Sequence, residues 1–171
     1  TRSNPFSGFH GVAGLWPASP YLLSECTLAR RRVVITGLGI ISPVGNTVEE
    51  AWQNLLAGRS GIGPITKFDV SSFPVRFGGE VKNFDIGTYL SPKEARRMDS
   101  FIHFGMAAGI QAIRDAGLTE HEVDAERIGV AIGSGIGGLP LIEATKEDYL
   151  AGGVRKISPF FVPGSIINMI S

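Results

Sequence analysis

Residues 127–138, which read RIGVAIGSGIGG, place the strongest constraint on the fold of this chain. The first half is a short apolar run between polar flanks, a pattern typical of a buried strand. The glycines that follow let the backbone turn sharply and approach a neighbouring group closely. The next residues, from Leu139 to about Leu150, have a helical pattern. We therefore predict a strand over 128–133, a glycine loop over 133–138 and a helix after it.

The glycine loop has the spacing G-x-G-x-x-G, which raises the alternative of a dinucleotide site. That spacing is meaningful only in a compact βαβ unit in which an acidic residue ends the next strand. Here residues 151–163 have the composition of a loop, and Glu147 and Asp148 fall within the predicted helix. A nucleotide-binding α/β protein is therefore the less favoured alternative.

The composition is that of a globular protein, with 43% hydrophobic residues among 171. Lysine plus arginine and aspartate plus glutamate both number 16, so the charge gives no reason to expect a nucleic-acid partner. No apolar run approaches the roughly 20 residues of a membrane helix, so no membrane partner is expected. Three scattered histidines and a single cysteine, Cys26, form no metal-binding pattern.

Residues 1–30 are predicted to be an unstructured extension or leader, followed by a single domain over 31–171. The extension is rich in proline, serine and glycine, and its only acid is Glu25. An acid-poor composition with arginine and serine is also found in organellar transit peptides. We expect a cytoplasmic protein, with the mitochondrion or plastid as the alternative. Cys26 lies in this extension without a histidine nearby, so we do not expect it to be a nucleophile.

Two apolar runs that end in glycines are predicted to be strands, at 32–41 and 128–133, with the first buried on both faces as in a parallel sheet. Thr47 with Glu50, and Ser91 with Glu94, have the spacing of capping boxes and predict helix starts. Asp99 is predicted to cap a longer helix that stops near Asp115, and the small residues of that helix imply close packing. The order of strands and helices predicts a layered α/β architecture.

Several of these stretches, in this order, resemble the β-ketoacyl-[acyl-carrier-protein] synthases, the condensing enzymes of fatty acid synthesis, and most closely those of type II. The motifs that carry the resemblance are RRVVITGLG at 31–39, SPVGN at 42–46, LAG at 56–58, SGI at 60–62, RMD at 97–99, IGSGIGG at 132–138 and RKISPFFVP at 155–163. The resemblance covers about residues 30–171. It implies a thiolase-like, layered α-β-α architecture, of which this chain would form an incomplete N-terminal half.

The family's reaction is a decarboxylative Claisen condensation, in which a cysteine thiolate accepts an acyl group and a malonyl-derived carbanion then attacks the thioester. The resemblance implies that the cysteine and its two histidines lie beyond Ser171, so no catalytic residue is assigned here. We expect a fragment of a 3-oxoacyl-[acyl-carrier-protein] synthase that is inactive alone. No cofactor is expected beyond the phosphopantetheine of the carrier protein. A non-catalytic partner similar to a chain-length factor is the alternative.

Two groups of site residues are implied by the resemblance. Beside the acyl tunnel it places Gly135, Ile136, Phe161 and Val162, and it places Phe160–Val162 also at a homodimer interface. It implies a surface that binds the acyl carrier protein, formed by Lys93, Arg96, Arg97, Arg155 and Lys156. The alternatives are ordinary core packing for the first group and a solvated face for the second. Because later strands complete such sheets, we also expect the isolated chain to leave apolar surface open.

Overall fold

The computed structural model describes residues 32–119 and 123–171. The predicted extension at 1–30, with Cys26, and His121 lie outside these ranges. The chain divides into two units, Thr1–Val34 and Ile35–Ser171, and every helix and strand described below belongs to the second. In the described ranges no helix is long and apolar enough to cross a membrane, and no group of side chains is arranged to hold a metal ion.

The second unit is mainly helical. In chain order its elements are α1 (Val48–Leu56), β1 (Ile62–Pro64), β2 (Phe77–Gly79), α2 (Pro92–Ala95), α3 (Ser100–Asp115), α4 (Leu139–Gly152) and α5 (Phe161–Ser165). Short 3₁₀ turns lie at Ile86–Thr88, Ala125–Arg127, Val154–Lys156 and Ile167–Ile170. The strands β1 and β2 pair antiparallel, with Ile62 opposite Gly79 and Pro64 opposite Phe77.

The helix starts predicted at Thr47, Ser91 and Asp99 are confirmed, but only one of the two predicted capping boxes is complete. The loop predicted over 151–163 is wrong in part, because α5 begins at Phe161. Ser91 and Glu94 form the reciprocal capping box at the start of α2. At the start of α1, the Thr47 hydroxyl accepts from the Glu50 N–H at 3.1 Å, but the Glu50 carboxylate accepts from Asn46 instead of Thr47. Gly58 follows α1 with a φ of 65°, the left-handed conformation that glycine adopts without strain.

The predicted strands at 32–41 and 128–133 are wrong, because neither segment pairs with a strand in the described part of the chain. Ile35 is 83% exposed and Val130 is 63% exposed, so these segments are not buried on both faces. A strand needs a neighbour for its N–H and C=O groups. Side chains of α3 take part of that role, since the N–H of Leu38 donates to the Asp115 carboxylate at 2.9 Å. The open apolar surface agrees with the expectation from the sequence.

The extended segment 35–41 lies directly on α3. A Cβ added at Gly37 would come within 2.6 Å of the Ala116 nitrogen, and one added at Gly39 within 2.8 Å of the Ala112 nitrogen. Only glycine leaves room for this approach of backbone to helix. The close packing predicted from the small residues of α3 is therefore observed on this side of the helix.

The core of the described residues lies around α3. Ile102 and Ala107 of that helix are buried, and Ile170 packs against Gly105 one turn away. By contrast, α1 buries only Ala51, and Trp52 on the same helix is 56% exposed. The chain thus buries one side of α3 well and leaves the apolar face of α1 open.

Candidate functional site

Three helix ends meet at one point, which we call the three-helix junction. It is formed by Asp99 before α3, the glycine loop before α4, and the end of α5. The N–H of Asp99 donates to the Gly164 carbonyl at 3.2 Å, and the N–H of Gly138 donates to the Ser165 carbonyl at 2.9 Å. One oxygen of the Asp99 carboxylate, Oδ2, accepts from the Leu141 N–H at 2.8 Å. These bonds hold segments together that are far apart in the sequence.

The Asp99 carboxylate serves two helices at once. Its Oδ1 accepts from the N–H and the hydroxyl of Ser100 and so caps α3, while Oδ2 binds the third residue of α4. The residue is only 8% exposed, and a buried carboxylate is favourable here because both helix N-termini present N–H donors and the positive end of a dipole. The sequence predicted the cap on α3. It gave no signal for the second contact, whose partner is 42 residues away.

The glycines at the three-helix junction are required by close contacts. A Cβ at Gly138 would lie 2.8 Å from the Asp99 Oδ2 atom, and one at Gly164 would lie 2.7 Å from the Arg97 carbonyl oxygen. Gly137 has a φ of 83°, and a Cβ there would lie 2.6 Å from the Ser165 carbonyl oxygen. Gly133 and Gly135, by contrast, have no atom within 4 Å of an added Cβ.

The start of α4 is already saturated with hydrogen bonds. The N–H of Leu139 donates to the Gly137 carbonyl at 3.1 Å, Pro140 has no N–H, and the N–H of Leu141 binds Asp99. A phosphate group at a helix N-terminus needs free N–H donors and would be repelled by a buried carboxylate. The geometry therefore disfavours the dinucleotide alternative.

The residues predicted beside the acyl tunnel lie on two neighbouring segments. Ile136 is 72% exposed, so it does not fill the core of the described residues. Phe161 and Val162 begin α5, whose last residue contacts the glycine loop through Gly138. Val162 is 56% exposed and Phe161 is half-buried. The loop and α5 are thus brought together, and the role of these three side chains and of Gly135 stays a prediction.

The five predicted carrier-binding cations are all exposed, and we call them the basic surface: Lys93, Arg96, Arg97, Arg155 and Lys156. The Arg97 guanidinium lies 4.4 Å from the centroid of the Phe160 ring, a cation–π distance. Arg96 and Arg97 also line one shallow cleft together with Phe160 and Phe161. The end of α2 is therefore in contact with the segment that carries the predicted tunnel residues.

One acid, Glu94, lies among these cations. The Ser91 hydroxyl, followed by the Ser91 N–H and the charge of Arg97, holds the pKa of the Glu94 carboxyl below its usual value. Glu94 therefore stays ionised at neutral pH and fixes α2 through its capping box.

Comparison with known proteins shows what class of protein carries this fold and site. A sequence model of the family described as "Beta-ketoacyl synthase, N-terminal domain" matches residues 30–171, so the chain belongs to this family. Within it, the chain is 58% identical over 144 residues to the 3-oxoacyl-[acyl-carrier-protein] synthase 2 of Vibrio cholerae and 53% identical to that of Synechocystis. Each alignment covers 84% of this chain and 35% of the relative. The chain thus spans about a third of the length of these curated relatives.

Solved structures confirm the predicted α/β, thiolase-like fold class. The structure described as the ishigamide ketosynthase/chain length factor is 32% identical with a TM-score of 0.67, and the match covers 84% of this chain and 36% of that one. A β-ketoacyl synthase from Burkholderia phymatum is 25% identical with a TM-score of 0.66, over 81% of this chain and 35% of that one. The sheet that was expected from residues 32–41 and 128–133 is nevertheless not formed among the described residues.

Proposed function

We propose that this sequence belongs to a 3-oxoacyl-[acyl-carrier-protein] synthase that elongates fatty acyl chains. The observation that carries the proposal is the 58% identity to a synthase of that name over 84% of the chain. In the proposed reaction a cysteine thiolate takes an acyl group from a carrier thioester and releases the carrier thiol. Malonyl carrier protein then loses carbon dioxide, its carbanion attacks the acyl carbon, and the thiolate leaves. The product is a 3-oxoacyl chain two carbons longer on the carrier.

The described residues supply binding and positioning in this proposal. The single cysteine of the sequence is Cys26, outside the part that matches the family, so the nucleophile is assigned to no residue here. The acyl chain would contact Gly135, Ile136, Phe161 and Val162. The exposure of Ile136, at 72%, supports this, because an apolar side chain so open is available to an apolar ligand or to a second subunit. We also propose a homodimer in which Phe160–Val162 meet the partner, and the exposure of Phe160 at 39% and of Val162 at 56% supports this.

The basic surface would bind the acidic acyl carrier protein. Its five cations are exposed, and two of them, Arg96 and Arg97, line one cleft. Complementary charge speeds the encounter of two proteins more than it tightens the complex. The contact of Arg97 with Phe160 would set this surface beside the entry for the acyl chain.

A graft tests the proposed reaction. Residues 30–171 replace the matching part of the Vibrio cholerae synthase, and condensation of acyl and malonyl carrier proteins is followed by mass spectrometry of the carrier. We expect activity within about tenfold of the parent, because identity at this level preserves the packing of a core. A graft that folds and dimerises as the parent does, yet condenses nothing, would refute the proposal.

Charge reversal tests the carrier surface. Arg96→Glu with Arg97→Glu in the graft should lower kcat/KM for the carrier substrate by about tenfold or more at low salt, with little change in kcat. The matched control is Arg127→Glu with Lys146→Glu, which changes the net charge equally through exposed cations elsewhere. Equal losses in both double variants would show that overall charge, not the basic surface, is responsible.

A non-catalytic role similar to that of a chain-length factor is the second candidate. It is favoured by the structural likeness at 32% identity to a ketosynthase/chain length factor. In that case the protein expressed from its complete reading frame would condense nothing alone and would restore activity on co-expression with an active synthase. Condensation by the protein alone would eliminate this candidate.

A further inference from the structure

Asp99 anchors the far end of the glycine loop. Leu141, whose N–H binds the Asp99 carboxylate at 2.8 Å, lies in the first turn of α4, five residues after Ile136. Between them the N–H of Gly138 is held by the Ser165 carbonyl at 2.9 Å, and the N–H of Gly137 by the Ser134 hydroxyl at 3.2 Å. The residues that follow Ile136 are thus tied down by bonds to three different places.

Asp99 is itself fixed. Its carbonyl accepts from the Ile102 N–H at 3.0 Å in the first turn of α3, and its own N–H binds the Gly164 carbonyl. The residue is 8% exposed, and the neighbouring Ile102 is 1% exposed. A side chain held by a long helix and by buried neighbours has little freedom, so the oxygen that it presents to Leu141 has one position.

The glycine loop has little rigidity of its own. Four of its six residues are glycine, and glycine has the largest range of backbone conformations in the absence of contacts. A Cβ atom added at Gly133 or at Gly135 would have no neighbouring atom within 4 Å, so neither residue is held by close packing. The placement of Ile136 therefore depends on the bonds at the far end of the loop. Among the described residues, the bond from Leu141 to Asp99 is the one there that has a carboxylate acceptor, and hydrogen bonds to carboxylates are stronger than those between neutral groups.

We infer that Asp99 is a positioning residue for acyl-chain selection, because it fixes the start of α4 and through it the glycine loop that presents Ile136. This inference rests on the proposed function for its link to the acyl chain. Asp99 is also two residues after Arg97, which belongs to the basic surface. Through its bond to Leu141 it connects this segment to the glycine loop, which would contact the acyl group.

Two substitutions weaken the anchor. Serine is as good an N-cap as aspartate, so Asp99→Ser keeps the start of α3 but is too short to reach Leu141. Asparagine replaces one of the two carboxylate oxygens with an NH₂ donor, so Asp99→Asn keeps at most one of the contacts with Ser100 and Leu141. Thr47→Ala is the control, because it removes a helix cap of α1 at a site that does not contact the glycine loop.

The first measurement is hydrogen exchange, followed by mass spectrometry, on the protein expressed from its complete reading frame. We expect amides of residues 134–142 to exchange about tenfold faster or more in Asp99→Ser and Asp99→Asn, as loss of a hydrogen bond to a charged group implies. Exchange in this segment should be unchanged in Thr47→Ala. Unchanged exchange in both Asp99 variants would overturn the inference, whether or not the protein condenses acyl chains.

The second measurement compares kcat/KM for carrier protein loaded with a long acyl chain and for carrier protein loaded with a short one, as a ratio. A merely structural loss lowers both kcat/KM values equally, whereas a displaced Ile136 changes their ratio. We expect this ratio to change at least threefold in the Asp99 variants and to stay constant in Thr47→Ala. A constant ratio with faster exchange would overturn the selection role. A wild-type protein without any condensing activity would instead refute the proposed function, and exchange alone would then decide whether Asp99 fixes the loop.

Discussion

Adding one methyl group at Gly39 should separate the extended segment from α3. The new Cβ would overlap the Ala108 carbonyl oxygen and lie 2.8 Å from the Ala112 nitrogen and 2.9 Å from the Gln111 Cβ atom. Two of these three atoms are helix backbone and cannot move aside, so the segment must shift. Overpacking of this kind costs about 1–3 kcal/mol. The shift also weakens the bond from the Ile40 N–H to Gln111, now 3.2 Å, which adds about 1 kcal/mol.

We therefore expect Gly39→Ala to lower the free energy of unfolding by about 3 kcal/mol. The control is Gly109→Ala, in the interior of α3, where an added Cβ meets no atom within 4 Å. That change should raise stability by about 0.5–1 kcal/mol, because alanine is the better helix former. Urea unfolding of the protein from its complete reading frame, followed by fluorescence, measures both. Trp52 reports on the relevant region, since it lines an apolar groove with Leu38 and Ile40.

An unfolding midpoint for Gly39→Ala equal to that of the wild type would show that the segment does not lie on α3 as described. A fall in both alanine variants would show general sensitivity to substitution and not the specific contact.

Further predictions concern helix ends and hydrogen bonds. Gly58→Ala should cost about 1 kcal/mol in thermal unfolding, with a smaller loss for Gly58→Asn, because φ is 65° there. The hydroxyl and N–H of Thr66 hold the pKa of Glu80 below its ordinary value. The stability that Glu80 contributes is therefore complete above the ordinary glutamate pKa and is lost as the pH falls through the lowered pKa of the folded state. Glu80→Gln should therefore unfold at a lower temperature at pH 7 and at an unchanged one in strong acid. Gln111→Leu should cost about 2 kcal/mol, since it leaves the Asn46 carbonyl without its 2.8 Å donor, and equal melting of the two proteins would contradict this.

The helix ends could be predicted from the sequence because each signal lies within one turn. Ser91 and Glu94 are three residues apart and meet in any helix that begins there. Gly58 and Gly117 follow their helices with positive φ, as expected for residues that stop a helix.

The sheet could not be predicted, because strand formation depends on a partner that local sequence does not contain. The apolar, β-branched run at 33–36 has the same composition whether it pairs with another strand or lies open. The glycines at 37 and 39 could have been interpreted as a strand end or as a helix contact, and the structure shows the second.

The candidate site was accessible to sequence reasoning only in part. The motifs identified the family and the exposed cations, since both follow from the identity of residues. The contact between Arg97 and Phe160, and that between Asp99 and Leu141, join segments tens of residues apart and depend on how α2, α4 and α5 pack. No periodicity in the sequence encodes them.

The contact between Asp99 and Gly138 has a consequence for how this region can vary. Any side chain at position 138 would enter the space of the Asp99 carboxylate, 2.8 Å away. The same Cβ would lie 2.9 Å from the Ser165 Cα atom, which is backbone, so a smaller residue at 99 does not by itself make room for alanine at 138. In a library randomised at both positions, glycine should therefore be kept at 138 whatever stands at 99, whereas replacement of Asp99 alone should be tolerated at the loss of its bond to Leu141.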